Sequence, residues 1–95
     1  MNYVVKSPHP KYPLKRYSTK VLRSWLEVAA LVFALCLEDY NTHMKTSAEY
    51  SFERFSRLED AEKSFWEIAR VLLSRGVSMT YIESEMHKAK EDVSS

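Results

Sequence analysis

Apolar residues recur at helical spacing through most of this 95-residue chain. Val21, Leu22, Trp25, Leu26, Ala29, Val32, Phe33, Cys36, Leu37 and Tyr40 form the main stripe of an amphipathic helix, and Val28, Leu31 and Leu35 form a second stripe on another face. Ser18 or Thr19 supplies a hydroxyl for the first free amides, so the pattern predicts a helix from there to about Tyr40 or His43. A helix apolar most of the way round must be covered most of the way round. The polar stretch Asn41 to Thr46 reads as a connector. Thr46 and Glu49 then have the spacing of a capping box, in which hydroxyl and carboxylate each satisfy a backbone amide. Ala48, Phe52, Phe55, Leu58, Ala61, Phe65, Ile68, Ala69 and Leu72 hold the helical period up to Gly76. Ser56 and Glu59 repeat the box spacing, and both a continuous helix and a break near Ser56 fit. Ser78 is placed to cap a last helix whose apolar face carries Met79, Ile82, Met86 and Ala89. Lys88 and Lys90 suit its C-terminal dipole, and Glu91 to Ser95 are expected to fray.

Composition supports the helical reading. The chain has one glycine, where an average sequence of this length carries about six or seven. Phosphate cradles of the Rossmann and P-loop kinds need several glycines close together, and tight hairpins need residues that tolerate positive φ. The expected fold is therefore all-α: a small three- or four-helix bundle over residues 18–92, with an extended, proline-containing basic arm over 1–17 and a frayed end at 93–95. About 65% of the surface of so short a chain can leave water on folding. The run Val28 to Leu37, VAALVFALCL, is about half the length of a membrane span, which argues for a buried helix and no membrane partner. A single cysteine, Cys36, excludes an internal disulfide and fits a reducing, cytoplasmic setting. No apolar stretch follows the first positive charges as a signal peptide requires.

The net charge of +1 conceals a segregation. Lys6, Lys11, Lys15, Arg16, Lys20 and Arg23 stand in the first 23 residues with no acidic residue, and the remainder is acidic overall. Pro8, Pro10 and Pro13 favour extended backbone there. The cations are interleaved with Tyr3, His9, Tyr12 and Tyr17, a mixture suited to single-stranded nucleic acid or another phosphate-bearing ligand. Lys11, Tyr12, Lys15, Arg16, Tyr17 and Lys20 would form that site. The same arm could lie across the acidic helices of its own body or of a second copy.

Ser74 to Ile82, SRGVSMTYI, joins two helices through Gly-Val-Ser with an aliphatic residue six positions after the glycine. It resembles the turn of helix-turn-helix DNA-binding units. Leu72 and Arg75 depart from that pattern, and Glu83 and Glu85 would face phosphates, so a helical hairpin closed by a C-cap glycine is the plainer expectation. Glu83 and His87 are four apart but lack further ligands, and read as an exposed charge pair. Glu59, Asp60, Glu62 and Glu67 spread round a helix, with Lys63 and Arg70 placed to pair with them. Cys36 lies among apolar residues and reads as core. No nucleophile, base and orienting group share a recognisable spacing, so no enzyme, cofactor or metal is expected.

Trp66 follows Phe65 and sits 100° round the helix from it, so with Val71 and Leu73 it forms a second apolar face. This surplus predicts self-association, most simply a two-fold homodimer with the first helix or Trp66 at its seam. The function expected is a non-catalytic protein–protein interaction module, an adaptor or inhibitor. Small helical inhibitors encoded by viruses and mobile elements offer the analogy. Trp66 and Tyr50 would anchor it, with Lys11, Lys15 and Arg16 steering it toward an acidic surface on a protein partner.

Overall fold

The computed structural model describes residues 12–47 and 49–94. Among them the chain is all-helical, with three α-helices: α1 (Thr19–Thr46), α2 (Phe52–Ser74) and α3 (Met79–Ser94). A 3-10 turn at Leu14–Arg16 precedes them, so the described part of the arm is turned rather than extended.

The Ser18 hydroxyl caps α1 by accepting from the Val21 amide at 3.2 Å. The helix continues past His43, and the polar stretch read as a connector is its final turn and a half. Thr46 does not open the next helix. Its hydroxyl donates back to the Thr42 carbonyl at 2.9 Å, and the Glu49 amide donates to the Ser47 hydroxyl instead. Ser51 caps α2 by accepting from Arg54 N–H at 3.2 Å, which puts Glu53 in the first turn, where a carboxylate suits the positive end of the helix. From there α2 is continuous through Ser56.

The stop at Gly76 takes the form its position predicts. Gly76 has φ +90°, its amide donates to Leu73 O, and Val77 N–H donates to Leu72 O at 3.1 Å, the paired bonds of a Schellman ending. Val77 packs against the core beneath. Ser78 then caps α3, accepting from Tyr81 N–H at 3.2 Å. α3 reaches Ser94, beyond the point at which fraying was expected.

α1 is the central element. α2 runs antiparallel to it, with Tyr40 and Phe55 ring centroids 5.9 Å apart at one end and Arg75 bonded to Thr19 at the other. α3 runs parallel to it, from Tyr81 beneath Arg23 to Val93 beside Ala34 and Leu37. Both flanking helices pack on α1 far more than on each other. The buried centre consists of Leu22, Leu26, Ala29, Phe65, Ile68, Leu72 and Ile82, and burial of each large aliphatic or aromatic side chain contributes about 1.5–3 kcal/mol. Ala30 and Ala34, outside the predicted stripes, are also buried. Three residues expected on core faces lie at the surface: Val21 and Met79 are exposed, and Phe52 is 72% exposed, its position lying about 140° round α2 from the buried Phe65. Ala48 lies outside the described residues. No described helix is long and apolar enough to cross a membrane.

Candidate functional site

Because α2 and α3 pack on α1 rather than closely on each other, an open groove of about 260 Å³ lies between them. Its lining follows from the register of α2. Phe65 points at α1, where its ring meets Phe33 at 6.2 Å, and the next residue is turned away by one helical step. Trp66 therefore stands at the groove, half-buried, its ring edge-on to Phe65 at 5.1 Å. Ile82 and Met86 come from α3, and Glu83, His87 and Lys90 form a polar rim. On its other side Trp66 borders the charged outer face of α2, with Glu59, Glu62, Lys63, Glu67 and Arg70. Lys63 and Arg70 make no ion pair there; the α2 pairs among the described residues are Arg54 with Asp39 of α1 at 3.1 Å and Arg57 with Glu53. His87 pairs with Glu91 at 2.8 Å rather than with Glu83.

The second apolar surface is the end formed by the close of α1 and the start of α2. Tyr50 is 57% exposed and Phe52 more so, and Met44 in the last turns of α1 is also exposed. Phe55 contacts both Tyr50, at 6.1 Å, and Tyr40. His43 Nε2 and the Glu49 carbonyl, 3.0 Å apart, tie the connector to α1.

The opposite end is basic. Lys15, Arg16 and Lys20 are exposed, and no described ion pair involves them. The tyrosines interleaved with them are partly engaged in the fold. Tyr17 is half-buried with its ring 4.5 Å from Trp25, and its hydroxyl accepts the Tyr12 amide at 3.1 Å. The Arg16 guanidinium lies over the Tyr12 ring at 5.5 Å. Arg75, which sequence reasoning did not connect to the arm, donates to Lys15 O and the Thr19 hydroxyl and fixes this end to the α2–α3 turn. Lys11 lies outside the described residues.

Trp66, Tyr50 and the pair Lys15 and Arg16 are thus not brought together. Tyr50 precedes α2 at one end, Trp66 lies in its middle, and Lys15 and Arg16 lie at its far end. Phe52, four turns before Trp66 on the same side of α2, is exposed, although the stripe of apolar residues places it in the core.

Two titrating groups are perturbed. Burial, reinforced by neighbouring Asp39, pushes the half-buried Cys36 thiol up, against a smaller opposing effect of Arg57. Burial likewise raises Tyr81, helped by Glu85. Among the described residues no three His, Cys, Asp or Glu side chains gather as a metal site.

No family model, curated protein or solved structure matches the chain.

Proposed function

We propose that this chain is a non-catalytic interaction module, an adaptor or inhibitor that acts by occupying a surface on a protein partner. The observation that carries this reading is Trp66 at the mouth of the α2–α3 groove, over a floor of Phe65, Ile82 and Met86. A half-buried indole offers large contact area at little rotamer cost, which is why tryptophan recurs among dominant interface residues. The groove accepts an apolar side chain of the partner, and the rim of Glu83, His87 and Lys90 orients it. Lys15 and Arg16 at the basic end speed encounter with an acidic surface without contributing most of the affinity.

The test is affinity capture with the wild type, Trp66→Ala and Lys15→Glu/Arg16→Glu side by side, followed by titration of the captured protein in purified form. Loss of at least about tenfold in affinity for Trp66→Ala, with the charge variant showing a slower association rate, supports the reading. Undiminished affinity in a folded Trp66→Ala protein refutes it.

A second reading, a binder of nucleic acid or a phosphate ligand, is favoured by the exposed, unpaired Lys15, Arg16 and Lys20 at one end. Tyr17 is committed to Trp25 and does not serve as a stacking platform, so this site would rest on cations and Tyr12. Titration with labelled single-stranded DNA and RNA at about 50 and about 200 mM salt decides it. Salt-sensitive binding abolished by Lys15→Glu/Arg16→Glu supports this reading, and absence of binding at the lower salt removes it.

A further inference from the structure

α2 covers one side of α1 through Phe33, Asp39 and Tyr40, and α3 covers another through Arg23, Ala34 and Leu37. The remaining face carries Val21, Ser24, Val28, Leu31, Leu35 and Glu38, spaced three, four, three, four, three. That is the repeat by which one helix packs along another. Val21 and Val28 are each 36% exposed, and Leu31 and Leu35 are half-buried. Val28 and Leu31 also floor an open groove of about 270 Å³, with Ala89 of α3 beside them.

From this face we infer that α1 docks against α1 of a second copy, antiparallel, about a two-fold axis near Ala29 and Ala30. The layering follows from the spacing. Val28 of each copy lies opposite Leu31 of the other, and Leu35 fills the space left by the small Ser24. Val21 covers the stem of Glu38. The charges select the antiparallel arrangement. Lys20 and Glu38 lie on the same ridge of α1, five turns apart, and neither takes part in a described ion pair. Antiparallel pairing sets each Lys20 beside Glu38 of the other copy, whereas parallel pairing sets like against like and leaves Ser24 facing Ser24 across a void. The seam is about 27 Å long, shorter than obligate interfaces require, so the dimer forms in the micromolar range or more weakly. It is a different surface from the Trp66 groove and leaves that groove open in both copies.

Sedimentation velocity of the full chain from micromolar to millimolar concentration is the test. The expected result is a concentration-dependent shift from 11.2 kDa to twice that mass. Val28→Lys, at an exposed position with helicity checked by circular dichroism, weakens association at least about tenfold. Lys20→Glu and Glu38→Lys each weaken it, and the double exchange Lys20→Glu/Glu38→Lys restores it, a rescue that parallel packing does not give. Trp66→Ala leaves it unchanged, which separates this inference from the proposed partner site. A single 11.2 kDa species at every concentration overturns the inference. So does association that ignores both Val28→Lys and the charge exchange, or that disappears in Trp66→Ala.

Discussion

Arg75 donates from Nη2 to the backbone oxygen of Lys15 at 2.9 Å, joining positions sixty residues apart, and from Nη1 to the Thr19 hydroxyl at 3.2 Å. One side chain in the α2–α3 turn thus holds the basic end in place. Arg75→Ala returns both acceptors to water at an exposed site, so the stability lost is about 1 kcal/mol or less. The sensitive measurement is limited trypsin digestion. Cutting after Lys15 and Arg16 should become several-fold faster while helix content stays constant. Lys at this position keeps the charge but not the two-point geometry and should restore little.

Gly76→Ala isolates a backbone effect. A Cβ at this position meets nothing within 4 Å, yet φ is +90°. The expected loss is about 1 kcal/mol in urea unfolding, all of it conformational, with Asn at the same position costing less than Ala. An unchanged midpoint for Gly76→Ala would contradict the left-handed ending of α2.

Two phenylalanines on α2 should behave oppositely. Phe65 is fully buried against Phe33 and Trp66, and Phe65→Ala is expected to cost about 3–5 kcal/mol, enough to unfold much of the population in so small a domain. Phe52→Ala, at 72% exposure, should fall within about 0.5 kcal/mol of wild type. Thermal melts of the two variants settle the comparison directly.

Alkaline pH should weaken the fold. The Cys36 thiol and the Tyr81 hydroxyl are both harder to deprotonate in the folded chain than at their ordinary values of 9.0 and 10.0. Their contribution is therefore complete below those values and is lost as pH rises through the folded ones. The melting midpoint should begin to fall as pH rises through 9.0 and continue to fall above 10.0, and Cys36→Ala should remove the earlier part of that drop. At about pH 8 the thiol should also react more slowly with a disulfide reagent than in the urea-unfolded chain.

Much of this architecture is legible in the sequence. Ser18 and Ser78 cap the helices they precede, and Gly76 ends α2, because each signal is local: a hydroxyl before an apolar stripe, or a residue without a Cβ after one. The connector between α1 and α2 was not legible. Thr46 and Glu49 satisfy the capping-box spacing, but Ser51, closer to the apolar run, takes the role, and a polar helix end in water needs no apolar face to persist. Phe52 continues the three-residue spacing of the stripe and is nonetheless exposed, since steps of three drift round a helix of 3.6 residues per turn and carry Phe52 about 140° from Phe65. Arg75 could not be assigned at all: its partners lie at the other end of the sequence, and only the antiparallel return of α2 brings them near. Trp66 was singled out by its offset from Phe65, which survives folding because that offset is a property of the helix itself.

α3 spans sixteen residues and α1 twenty-eight, so α1 outruns its neighbour. Its middle, at Leu26 and Ala29, is enclosed, whereas its last turn and a half has a helix along one side only. Backbone amides in a single uninterrupted helix will therefore trade hydrogen for deuterium on separate clocks: the central ones only when the whole molecule opens, those from Thr42 onward each time the overhang unwinds.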